Sequence, residues 1–145
     1  MRTVSAKSAF VMALVFAFLV TMLLGCPPQP EIWAKLTLSE PPILGKPVEV
    51  TLTFGIQKDY SHDAKNATAR ISLPEGFELV SGNLEWQGDV LQNQTYAIEA
   101  TIKSVKTGYW ELAGRIQYSP PGSDDILGGA DFIYVAVSED KAEIS

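Results

Sequence analysis

Apolar and polar residues alternate along most of the chain. Val48, Val50, Leu52, Phe54 and Ile56 are separated by the polar Glu49, Thr51 and Thr53. A repeat of two is the pattern of a β-strand with one buried face. Tyr96, Ile98, Ala100 and Ile102 alternate likewise with Glu99, Thr101 and Lys103, as do Trp110, Leu112, Ile116 and Tyr118 with Glu111, Arg115 and Gln117. Ala67, Ala69, Ile71 and Leu73 form a shorter set against Thr68, Arg70 and Ser72. Weaker strands are predicted over 32–38, 77–80, 84–86 and 131–137. Turn residues fall between them: Glu40-Pro41-Pro42 with Gly45, Pro74-Glu75-Gly76, Ser81-Gly82-Asn83, Gln87-Gly88-Asp89 and Lys106-Thr107-Gly108. The last is expected to close a tight hairpin, with Gly108 at positive φ. No window after Cys26 carries a helical repeat. The pattern predicts an all-β antiparallel sandwich of seven or eight strands.

The first residues follow another rule. Arg2 and Lys7 precede an apolar run from Ala9 to Val20, and Thr21-Met22-Leu23-Leu24-Gly25-Cys26 closes the segment. A basic start, an apolar stretch and a small residue at the end describe a signal peptide over 1–25. Leu23-Leu24-Gly25-Cys26 resembles the lipobox of prokaryotic lipoproteins, with Leu24 where a smaller or β-branched residue is commoner. The resemblance implies cleavage before Cys26 and lipid attachment to its sulfur. Two acyl chains anchor stably where one is marginal. The alternatives are an uncleaved anchor, since 9–26 is at the short end of a membrane span, and simple secretion after cleavage. Pro27, Pro28 and Pro30 make 26–31 a stiff, extended tether. The sandwich is then expected over 32–138, with a polar tail at 139–145.

A second resemblance lies within the strand region. Leu73-Pro74-Glu75-Gly76-Phe77 through Gly82, then Trp86-Gln87-Gly88, then Gly108-Tyr109-Trp110 look like the order found in prokaryotic surface immunoglobulin-like domains, the CARDB-like modules among them. It implies an immunoglobulin-like sandwich on the extracytoplasmic face of a cell membrane and carries no active site across.

Charge narrows the partners. The chain holds 11 Lys+Arg and 17 Asp+Glu, and both Arg2 and Lys7 lie in the apolar leader, so the remainder carries a net −8. Phosphate backbones demand basic patches, so nucleic acid is excluded as a partner. Cys26 is the single cysteine, which leaves no disulfide for the exported part. A packed core must hold it together.

Candidate chemistry is sparse. Asp59, His62 and Asp63 share one loop, and Ser123-Asp124-Asp125 with Asp131 flank Gly128-Gly129 in another. Either set offers oxygen or imidazole ligands, yet neither has the spacing of a known metal loop, so no metal or cofactor is assigned. Ser61, His62 and Asp63 are sequence neighbours and cannot converge as a triad. Glu78 and Glu85 sit on separate strands. No catalytic residue is expected. Asn66-Ala67-Thr68 and Asn93-Gln94-Thr95 match the glycosylation pattern.

The aromatics carry more. Strand alternation puts Trp110 in the core with Leu112 and turns Tyr109 outward. It likewise buries Ile133, Val135 and Val137 and exposes Phe132 and Tyr134. If the two strands pair, Tyr109, Phe132 and Tyr134 share an outer face, which is either covered by the proline-rich N-terminal segment or a loop, or is a surface for an envelope protein or carbohydrate. Trp33 and Trp86 are expected in core or rim packing. The expectation is a lipid-anchored, non-catalytic binding or scaffolding protein. The alternatives are a metal- or solute-binding lipoprotein and an accessory subunit of an envelope enzyme or transporter.

Overall fold

A computed structural model describes residues 32–57 and 62–139, and the backbone of 142–144. The leader, Cys26, the proline tether and the loop positions Asp59 and Ser61 lie outside the described residues.

Among the described residues, nine strands form two antiparallel sheets, which bears out the sandwich and adds to the expected strand number. They are β1 (Ile32–Leu38), β2 (Pro47–Ile56), β3 (Ala64–Ser72), β4 (Phe77–Gly82), β5 (Glu85–Val90), β6 (Thr95–Ser104), β7 (Gly108–Tyr118), β8 (Leu127–Val137) and β9 (Ala142–Ile144). One sheet has the order β1-β2-β6-β4 and the other β5-β3-β7-β8-β9. β9 pairs with the end of β8, from Val137↔Ala142 to Val135↔Ile144, within what the sequence suggested was only a polar tail.

Three further expectations change. Lys106-Thr107-Gly108 closes no hairpin, because β6 pairs with β2 and β4 whereas β7 pairs with β3 and β8. The segment is an arch from one sheet to the other. Gly108 does take positive φ there, at 131°. Gln87-Gly88-Asp89 is no turn but the middle of β5, with Gly88 opposite Ala67 in β3. Gly128, Gly129 and Asp131 belong to β8, opposite Gln117, Ile116 and Gly114 of β7, and not to a loop.

The inward faces meet in one core. Val50, Leu52, Phe54, Ile71, Ile102, Leu112 and Ile116 are all essentially inaccessible. Phe54 from one sheet packs at 5.1 Å, centroid to centroid, on Trp86 from the other, and Tyr96 lies 5.3 Å from the same indole. This cluster closes the sandwich beside β5. Trp110, whose indole N–H donates to the Lys106 carbonyl at 3.2 Å, lies under the turn before β4. A Cβ on Gly76 would stand 2.2 Å from that ring. The Pro-Glu-Gly turn and the Gly-Tyr-Trp strand start, read singly as punctuation, are thus two halves of one contact.

The opposite side closes between β1 and β8. Gly129 approaches β1 so closely that a Cβ would sit 2.5 Å from the Ile32 carbonyl oxygen. One step along, the Leu36 N–H, which β2 leaves unpaired, donates to Asp131 Oδ2 at 2.9 Å. The Phe132 N–H donates to the other carboxylate oxygen at 3.0 Å. An edge strand exposes unpaired donors, and this inward-pointing carboxylate satisfies one of them.

Asp131→Ala strands the Leu36 N–H and is expected to cost about 1–3 kcal/mol. Gly76→Ala drives a methyl into the Trp110 ring, at a similar about 1–3 kcal/mol for overpacking. Urea unfolding of each variant, with the slope unchanged and the midpoint lowered, checks both.

Candidate functional site

The outer faces of the two sheets differ in character. That of the β1-β2-β6-β4 sheet carries mainly Thr, Glu and Lys on β2 and β6, and a depression of about 270 Å³ there is lined by Glu49, Thr51, Glu99 and Thr101 among others. That of the other sheet carries the exposed aromatics. β7 and β8 pair over their full length. Because alternate residues point the same way, burying Leu112, Ile116, Ile133, Val135 and Val137 forces Tyr109, Phe132 and Tyr134 outward. Tyr109 is 90% exposed, Tyr134 51% and Phe132 40%.

The register sets their arrangement. Tyr134 stands opposite Glu111, Phe132 opposite Ala113, and Tyr109 opposite Ala136. Phe132 and Tyr134 are therefore neighbours along β8, and Tyr109 lies diagonally beyond Tyr134 across to β7. The three rings form a stripe one side chain wide. Glu111 accepts from the Tyr134 phenol and adds its own negative charge, which together hold that hydroxyl's ionisation above the ordinary tyrosine value.

A cation completes the stripe. Arg115, outward on β7, places its guanidinium 5.7 Å from the Phe132 ring centroid. It stands directly opposite Arg70 on β3 and Ala130 on β8. Arg70 is paired with the Glu85 carboxylate, through its Nε at 2.7 Å and its terminal nitrogen as well. Among the described residues, the ion pairs formed are Lys65–Asp89, Arg70–Glu85, Lys103–Glu78 and Lys106–Glu75, so Arg115 has no carboxylate partner. Beyond it, two shallow depressions of about 250 and 260 Å³ meet at Gln117 and Ile126, the latter 68% exposed. Sequence reading missed Arg115 and Ile126. A polar outward residue is the default of an alternating strand, and only the register that sets Arg115 opposite Arg70 and beside the Phe132 ring singles it out.

The other candidates separate. Asp63 accepts from the Gln92 N–H at 3.0 Å. Ser123 Oγ donates to Asp125 at 2.9 Å, and the Asp125 N–H donates back to Ser123 Oγ at 3.1 Å. Asp131, grouped with these by sequence, is held away in the β1–β8 seam. Among the described residues no three His, Cys, Asp or Glu side chains gather as a metal site. Glu78 and Glu85 lie in different sheets, each paired with a cation.

Both acceptor asparagines have a backbone reason to be asparagine. Asn66 and Asn93 take left-handed φ values of 53° and 58°, which Asn tolerates better than most residues. Asn66 is pinned further, its N–H donating to Asp89 at 2.8 Å and its side-chain oxygen accepting from Gln87 at 2.8 Å. That backbone hydrogen bond, with Lys65 beside it, holds Asp89 below the usual carboxylate range.

No family model matches the chain, and no curated protein does. Among solved structures it is similar to a conjugative transposon lipoprotein from Bacteroides eggerthii DSM 20697, with a TM-score of 0.44 and 12% identity over 73% of this chain and 97% of that one.

Glu111→Gln removes both the charge and the stronger acceptor, so Tyr134 should ionise at lower pH, nearer the ordinary tyrosine value. Ultraviolet difference titration of the variant against the parent reads this directly.

Proposed function

We propose that the protein is an extracytoplasmic lipoprotein, anchored through Cys26, whose sandwich binds an envelope partner through the Tyr109–Phe132–Tyr134 face and performs no chemistry itself. The observation that carries the reading is that face: three large rings exposed side by side on one sheet, while the opposite sheet's β2 and β6 turn mainly Thr, Glu and Lys outward. Exposed aromatic groupings of this kind mark interaction surfaces, where Tyr and Arg supply most of the binding energy.

The topology supports it through orientation. Ile32 begins β1 at the end of the sandwich where Ile56, Tyr118 and Leu127 also lie, and Leu38, Gly108 and Val137 mark the opposite end. The segment from Cys26 to Ile32 reaches at most roughly 20 Å. A lipid on Cys26 holds the Ile32 end near the membrane. Phe132, Tyr134 and Tyr109 then run from mid-strand towards the far end, with Tyr109 outermost. Asp63, Asp124 and Asp125 sit at the near end, where their charge discourages the domain from lying on anionic lipid.

Changing Tyr109, Phe132 and Tyr134 together to Ser should leave the melting temperature within a few degrees and abolish cross-linking to envelope components in cells. An unfolded triple variant would mean that the rings are structural. Cys26→Ser should abolish both the lipid mass increment and detergent-phase partitioning; a variant that partitions like the parent overturns the lipid anchor.

A further inference from the structure

Resting on that reading, we infer that the partner met by the Tyr109–Phe132–Tyr134 face is a second copy of this chain, packed face to face and antiparallel about a two-fold axis that crosses β7 at Ala113. The charge pattern along β7, the side chains this axis brings together and the neutrality of the face carry the inference.

The exposed residues of β7 include one acid and one cation, Glu111 and Arg115, set symmetrically about Ala113. Four residues of strand hold them roughly 13 Å apart. They are too distant to pair within one copy, and none of the ion pairs formed among the described residues joins them. Turning a second copy over about an axis across β7 at Ala113 sets each Glu111 against the partner's Arg115. The face is thus complementary to its own inverted image, as a two-fold interface requires. The other two-fold that lays these faces together has its axis along the strands. It sets Glu111 against the partner's Glu111 and Arg115 against the partner's Arg115, and like charges so opposed repel. The antiparallel arrangement is the one that charge permits. Arg115 beside the Phe132 ring keeps its fork of N–H donors for a carboxylate, and Glu111, which accepts from the Tyr134 phenol, has a second oxygen to offer.

The same axis sets large side chains against small ones. Tyr134 stands level with Glu111 and Ala130 level with Arg115, so each Tyr134 meets the partner's Ala130. Tyr109 stands level with Ala136 and Gln117 level with Gly128. Each Tyr109 then meets the partner's Gln117, and each Ala136 meets the partner's Gly128. Phe132, level with Ala113, faces the partner's Phe132 on the axis. Side chains that interdigitate in this way are how two sheets pack face to face.

The face is also a neutral part of an acidic domain. Strands β3, β5, β7 and β8 expose Lys65, Arg70, Arg115, Glu85, Asp89 and Glu111, three cations and three acids, in a domain with a net −8 outside the leader. Two copies repel through their net charge, and a face whose own charges cancel is where they approach with least opposition. With Cys26 anchoring the Ile32 end, an antiparallel pair carries its two anchors at opposite poles. It therefore joins copies standing on facing membranes.

The test is sedimentation equilibrium of the full chain in detergent over a concentration series. A monomer–dimer equilibrium is expected for the parent. Glu111→Arg and Arg115→Glu, each alone, should weaken it by about tenfold or more while the melting temperature stays within a few degrees. An equal mixture of the two singly substituted chains should form a mixed dimer as tight as the parent's, and the double variant should recover dimerisation as well. Vesicles bearing the lipidated parent should cluster with one another, and vesicles bearing Glu111→Arg only with those bearing Arg115→Glu. A parent that stays monomeric up to about 1 mM, single variants as tightly paired as the parent, or a mixture that fails to recover each overturns the second-copy assignment. Pairing in solution without clustering of vesicles overturns the facing-membrane geometry. If the parent stays monomeric but cross-linking in cells still needs the three rings, the face takes another occupant, such as a sugar chain or an extended peptide at the β8 edge, and only the second-copy assignment falls. If substituting the rings changes neither, the binding face falls with it.

Discussion

The seam between β1 and β8 fixes much of the rest of this molecule. A sandwich of two sheets must close its sides without a disulfide, since Cys26 is the single cysteine of the sequence. On this side closure depends on two residues of β8: Gly129, which lets the β1 backbone approach, and Asp131, which takes the Leu36 N–H. Both point inward. Because strand direction alternates strictly, an inward Asp131 makes Phe132 and Tyr134 outward residues. Slipping β8 by one position would bury the phenol, expose Ile133 and Val135, and lose the capped donor at once. The seam, the core and the exposed stripe are therefore one register decision.

The same alternation explains why the two outer faces diverge. The β2 and β6 strands spend their outward positions on Thr, Glu and Lys, which suit a solvated sheet. On β7 and β8 those positions hold Tyr109, Glu111, Arg115, Phe132 and Tyr134. None of these is needed by the core, which is complete beneath them. Burial supplies the stability, and the outer face is left free to be chosen by another requirement.

Most strands were legible in the sequence because a half-buried strand writes its period directly into hydrophobicity. What failed was local and has physical causes. Gly128 and Gly129 contribute no side chain to the pattern, so the first part of β8 looked like loop, although close approach to β7 and β1 is what demands glycine. Gly88 misled in the same way within β5. Lys106-Thr107-Gly108 reads as a hairpin because a short glycine turn joins two strong strands equally well within a sheet or across to the next one; only pairing, which sequence spacing does not encode, separates the cases. The exposure of Tyr109, Phe132 and Tyr134 was legible from parity alone. Arg115 was not, because its meaning depends on Arg70 opposite and on the Phe132 ring beside it, both facts of register.

A shallow stripe, if it serves as the binding face proposed above, would bind weakly at any one place, because little of a partner would be enclosed and much of its motion would be lost. The proposed lipid anchor would hold many copies of the domain in one plane, and once one copy engaged a multivalent partner the next would meet it at a high effective concentration, raising avidity with no new contact. A rigid sheet face is well suited to this, since the rings are positioned by the core and lose little freedom on binding.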